Sequence, residues 1–304
     1  MSATADLFGV TPENASEFYR KLCLPEEFPR GRVVREHCER LWAIYAPFAE
    51  PQFLAEFPIR FHQRWFEMYL TATLIERGVK VQPTSPPGPD VLVQVGGRRI
   101  WIEAVCATGG EPGLPDSVVH MSCGHVPWDQ IALRIRNSIE EKRNKYAKYL
   151  EKGLLKPGEP LLIALNVEQI PYASFDSPKY IFRALYGVGN QVIHLQLPKG
   201  GPPKAVGTSN EQLLTINKRS SGAPVGTQPF IDGSMPTITG VIVSGHNSGS
   251  AAHRPPDFTL YPNLTAETPW VAGELPVSEW QFRQSDEAWQ GQLTEAGEGS
   301  TSEE

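Results

Sequence analysis

Gly96-Gly97 joins two strand-like runs, and the register it imposes constrains this chain more than any other feature. A two-residue glycine turn pairs Val95 with Arg98 and Gln94 with Arg99, and the same count down the ladder sets Asp90 opposite Glu103. Directly opposed residues in a hairpin have Cβ atoms roughly 5 Å apart. Two carboxylates so placed repel each other unless a positive charge lies between them. That is the geometry of a divalent-metal site built from oxygen ligands.

The rest of the chain reads as mixed α/β. Residues from about 11 to 58 are mostly helical, with Pro47, Pro51 and Pro58 as interruptions. Arg60 to Arg77 predicts a strong helix stopped by Gly78. Its stripe is Phe61, Trp65, Met68, Ala72 and Ile75, and Phe66, Leu70 and Leu74 widen it, which predicts burial on more than one side. Strands are expected at Val79–Gln82, Asp90–Val95 and Arg98–Ala107. A Gly/Pro-rich loop follows, then a long helix N-capped by Asp129 and running to about Lys152. Leu161–Val167 reads as a buried strand, and Val192–Leu197 and Ile238–Ser244 as further strands. Gly200 to Pro236 reads as an irregular insertion rich in Gly, Pro, Ser and Thr.

Charge is unevenly spread. The net charge is −6, and six acids with no Lys or Arg lie between Gln284 and Glu304, so the first 283 residues are near neutral and can meet an anionic partner. The tail's Gly, Ser and Thr content predicts disorder. The expected organisation is a helical extension over 1–58, one α/β domain over 59–283, and a disordered acidic tail over 284–304. No apolar run approaches the ~20 residues of a membrane span, and the N-terminus lacks a secretory pattern. Cys23, Cys38, Cys106 and Cys123 show no paired spacing, so free thiols in a cytoplasmic protein are expected.

Glu67 in a helix, Pro89-Asp90 opening a strand and Ile102-Glu103 in the next strand together resemble the PD-(D/E)XK nuclease superfamily. The resemblance covers roughly residues 60–167, and the order helix, three-strand meander, helix, strand matches that family's core. It implies a restriction-endonuclease-like fold: a central mixed sheet flanked by helices, here with an N-terminal helical extension. It implies Asp90 and Glu103 as ligands of Mg²⁺ (or Mn²⁺), Glu67 as an accessory acid, and a nucleic-acid substrate, DNA first. The family's lysine belongs two residues after the second acid, where this chain has Val105.

The next helix offers a replacement. Ile131, Ile135, Ile139, Tyr146 and Tyr149 define its inward stripe, and Lys142 lies within it. A lysine there needs a carboxylate, because burying an unpaired ammonium is costly. Lys145 and Arg134 flank the stripe as runners-up. Blander readings stand beside these. Glu67 can be a structural acid paired with Arg64, Asp90 a strand-opening residue, and Lys142 a side chain that snorkels to the surface. The basic surface of residues 131–156 fits a solvated helix face or a phosphate contact. His120, Cys123 and His125 lack the spacing of a zinc motif, and Ser244-Gly245-His246 supports no nucleophile triad. Three functions follow: a Mg²⁺-dependent nuclease, a nuclease fold that has lost its chemistry and binds nucleic acid or protein, or an interaction protein whose acid pair meets a basic residue.

Overall fold

A computed structural model describes residues 6–24, 26–84, 88–120, 126–173, 177–284 and 289–296. The chain opens with helices α1 (Glu17–Leu22), α2 (Gly31–Tyr45), α3 (Phe53–Glu56) and α4 (Phe61–Glu76). Strands β1 (Lys80–Gln82), β2 (Val91–Val95) and β3 (Arg98–Cys106) form an antiparallel meander. Helix α5 (Trp128–Glu151) crosses over to β4 (Leu161–Asn166), which runs parallel to β3. Then come α6 (Ser177–Leu185), β5 (Val188–Gln196), β6 (Lys204–Gln212), β7 (Thr215–Asn217) and β8 (Pro224–Gly226). β9 (Gly240–Ser244), α7 (Ser248–Ala251), β10 (Thr259–Pro262), β11 (Ser278–Gln284) and β12 (Trp289–Thr294) complete the chain.

Eight strands make one mixed sheet in the order β1-β2-β3-β4-β9-β10-β11-β12. Its parallel centre, β3-β4-β9, is buried and mostly apolar on both faces, with Glu103, Asn166 and Ser244 as buried polar exceptions, because helices cover both. Ile100, Ile102 and Ala104 face one hydrophobic cluster, which holds α1, α2, α3 and α4. Trp101 and Val105 face the other, which holds α5 and α6. Helix α4 is buried from Arg64 to Leu74, as its widened apolar surface predicts. Tyr19, Leu41, Tyr45, Phe53 and Phe57 share its cluster, so the N-terminal helices and the sheet build one core.

Gly96 and Gly97 have φ of +55° and +83°, the conformation that a tight hairpin turn requires and that only glycine adopts cheaply. The observed ladder is the expected one, from Val95↔Arg98 down to Val91↔Ile102.

Three expectations need correction. Asp129 is not the N-cap of α5: it lies in the first turn, and its carboxylate accepts from Arg183 at 2.7 and 2.9 Å. That ion pair engages the carboxylate that would otherwise cap the backbone. The 200–236 stretch is not irregular throughout, since it contains β6, β7 and β8, and Phe230 and Met235 are core residues. The tail is not wholly disordered. β12 pairs with β11 from Glu279↔Thr294 to Gln284↔Trp289, and Gly291 lies against the Trp280 and Phe282 rings, which makes the pairing worthwhile for an otherwise polar segment. Residues 297–304 lie outside the described residues. Among the described residues no helix is long and apolar enough to cross a membrane.

Candidate functional site

The site lies where β2 stops short of β3. The β2 ladder ends at Val91↔Ile102, yet β3 continues to Cys106. On its other edge β3 donates Ala107 N–H to β4, so alternate groups, at Ala104 and Cys106, point toward the missing strand. Buried backbone groups must find partners. Side chains supply them here. Asp90 Oδ2 accepts from Ala104 N–H at 2.7 Å. Gln63 of α4 donates to the Ala104 carbonyl at 3.1 Å and accepts from Cys106 N–H at 2.9 Å. Asp90 is thereby clamped to the edge of β3, one step beyond the last ladder pair.

Glu103 projects to the α5 face, alongside Trp101 and Val105, and is fully buried. Its Oε1 accepts from Lys142 Nζ at 2.9 Å and also from Lys145 Nζ. Its Oε2 is buried and has no hydrogen-bond partner. Lys142 is 7% exposed, whereas the Lys145 side chain is 44% exposed. The two lysines stand three apart on one helix face, so both reach the same oxygen. Tyr146, next on that face, donates to the Leu162 carbonyl and fixes α5 against the sheet.

Electrostatics bind the group together. Burial first, then the charges of Glu103 and Glu67, push the Asp90 carboxyl up to about 8, while Lys142 and Lys145 pull it back. Burial opposes the charge on Lys145, but the Glu103 carboxylate overcomes it and holds the ammonium above its ordinary value.

Glu67 is placed differently from the expectation of an accessory acid. It is 1% exposed, and both its oxygens are engaged: Tyr45 donates to Oε1, and Arg64 donates to Oε2 at 2.6 Å. Arg64 also contacts Glu50 and Glu56. The structural pairing with Arg64 is therefore the one formed. Burial raises the Glu67 pKa, with Arg64 and Tyr45 pulling against it. Glu67→Gln is expected to cost roughly 1.5–3 kcal/mol, the range for a hydrogen bond to a charged group. Metal binding at Asp90 should survive. Urea unfolding and calorimetric titration check both, and lost metal binding would restore Glu67 to the site.

Sequence reasoning missed Gln63 and Tyr45. Gln63 had a legible signal: a polar residue four before Glu67, on the same face of the helix. Tyr45 had none, since it comes from another helix. Arg134 is not at the site; its Nε donates to the Thr108 carbonyl at 2.8 Å. The basic face of α5 is partly consumed within the protein, with Arg136 and Arg143 turned to Glu140 and the 234–235 segment.

The other candidates do not assemble. His120 packs against Tyr172, and Cys123 and His125 lie outside the described residues. Ser244 donates to Asp257 at 2.6 Å, so His246 is not placed to take its proton. Cys23, Cys38 and Cys106 are free thiols. Among the described residues no group of three or more His, Cys, Asp or Glu is arranged to hold a metal ion. Asp90 and Glu103 supply two acids, and the orphaned Glu103 Oε2 is an acceptor that fits a cation. No family model matches the chain, and neither a curated protein nor a solved structure matches it.

Proposed function

We propose that the protein is a Mg²⁺-dependent nuclease acting on DNA, a degenerate relative of the PD-(D/E)XK enzymes. One observation carries this reading: an ammonium delivered by α5 meets a fully buried carboxylate whose second oxygen is unpartnered. Asp90 and Glu103 would hold the ion. When bound, Mg²⁺ would polarise the scissile phosphate and lower the pKa of a water. Lys142 takes the place of the motif lysine that Val105 replaces. Its Nζ, pinned by Glu103, can donate to the attacking water or to a phosphate oxygen. Asp90, held by Ala104 N–H, keeps its position whether protonated or ionised.

The test is cleavage of supercoiled plasmid, single-stranded DNA and RNA with and without Mg²⁺. Lys142→Met keeps the apolar stem and deletes the charge, and it should stop cleavage while sparing metal binding. Lys145→Met removes the second cation from Glu103 Oε1. It should tighten Mg²⁺ binding by roughly tenfold, since a like charge within a few ångströms of the ion opposes it. Calorimetric titration reads that change, and unaltered affinity would show that Lys145 does not compete with the ion.

A second reading, a fold that kept its shape and lost its chemistry, is favoured by the same ion group. Two ammoniums already neutralise Glu103, and Val105 is a core residue. Purified protein that cleaves none of the three substrates would establish it.

A further inference from the structure

The β5–β6 hairpin stands apart from the body. It forms its own two-stranded sheet and does not join the eight-stranded one. β6 is exposed along its whole length, and β5 is exposed from Asn190 except for half-buried Val192. Its root is rigid. Leu213 N–H donates to the Gly187 carbonyl at 2.7 Å, and Arg183 bridges Asn190 to Asp129 on α5. Gly187, at φ +65°, has the Leu213 carbonyl and Gln228 so close that no Cβ would fit, which fixes the angle at which the ribbon leaves.

The ribbon holds apolar side chains in water. Ile193 and Leu195 are two apart on β5, Leu197 follows its end, and the three are 59%, 56% and 76% exposed; Val206 on the other strand is also exposed. An isolated two-stranded hairpin is marginal in water, and a bare apolar strand invites association. Its charge is one-sided. No Asp or Glu occurs from Gly189 to Asn210, while Lys199 and Lys204 flank a Pro/Gly tip.

We propose that this ribbon is a DNA-binding arm that enters a groove of duplex DNA. A two-stranded ribbon is of the size the major groove admits, and apolar side chains there contact thymine methyl groups. The absence of acid along the arm suits close passage between phosphate rows, and the tip lysines meet those phosphates. The choice of DNA as occupant rests on the nuclease reading; the binding itself does not require cleavage.

The experiment titrates a fluorescent duplex of about two helical turns with full-length protein in EDTA, following anisotropy between about 50 and 200 mM salt. Lys199→Ala/Lys204→Ala should weaken binding by about tenfold or more and flatten the salt slope by about 1.8, the value for two lost phosphate contacts. Leu195→Ser/Leu197→Ser should weaken binding with the slope unchanged. Melting temperatures should not move, because all four side chains are exposed. Wild type that fails to bind the duplex at low salt, or variants that bind like wild type, would overturn the proposal. So would a wild-type dimer that Leu195→Ser/Leu197→Ser dissociates, since the ribbon would then serve a second copy. Arm-dependent binding with no Mg²⁺-dependent cleavage would sink the nuclease reading alone; cleavage by protein whose binding ignores the arm would sink this one alone.

Discussion

Glu103→Ala is expected to destabilise the protein by about 3–5 kcal/mol, the cost of breaking a buried ion pair by removing one partner. The reason is specific. Lys142 is 7% exposed, and its Nζ rests on Glu103 Oε1 at 2.9 Å. Without the carboxylate, the buried ammonium loses its hydrogen-bonded counter-ion and is left with the longer-range charge of Asp90. That lost pairing inside the sheet–α5 contact is what destabilises the variant. Lys145 differs, since its half-exposed ammonium can return to water. The double variant Glu103→Ala/Lys142→Met should recover most of the loss, because an apolar pair replaces a buried ionic one at little cost. Lys142→Met alone should cost less than Glu103→Ala, since Lys145 still neutralises Glu103. Urea unfolding of the four proteins gives the coupling. A Glu103→Ala loss below about 1 kcal/mol would show that the ion group does not hold α5 on the sheet.

Asp90→Asn is expected to abolish both Mg²⁺-dependent cleavage and the rise in melting temperature that Mg²⁺ gives by mass action. It should also change how stability depends on pH. In the folded protein the Asp90 carboxyl keeps its proton up to about pH 8, whereas an unfolded aspartate loses it near pH 4. The folded state thus binds more protons between those values. The contribution of Asp90 to stability is full below about pH 4 and is lost as pH rises through about 8. The asparagine variant should flatten that decline and be the more stable protein at pH 8. Its amide can still accept from Ala104 N–H through the carbonyl oxygen. Because Mg²⁺ needs the ionised carboxylate, wild-type affinity should climb as pH approaches 8, with proton release on binding. A metal-induced rise in melting temperature that survives Asp90→Asn would place the ion elsewhere.

Local pattern determined much of this protein. The Gly96-Gly97 turn set the hairpin register, because both glycines adopt positive φ and a two-residue loop leaves no freedom to slip. Helical periodicity placed α4 in the core and turned Lys142 inward among Ile135, Ile139 and Tyr146, so its need for a carboxylate was legible before any contact was known. Periodicity has no memory of what lies across the gap, and there the tertiary structure decided. It gave Glu67 to Arg64 and Tyr45, since the end of a different helix, α2, supplied the phenol. It brought Lys145 onto the oxygen that Lys142 already held, because a long flexible stem can reach in from a half-exposed position. It used Asp90 and Gln63 to complete a strand edge that β2 left open. It also recruited residues 289–294 into the sheet despite their acidic, Gly-rich surroundings, because β11 presented an edge with two aromatic rings to cover. Composition measures what a segment can bury by itself; whether an edge is waiting for it depends on the rest of the fold.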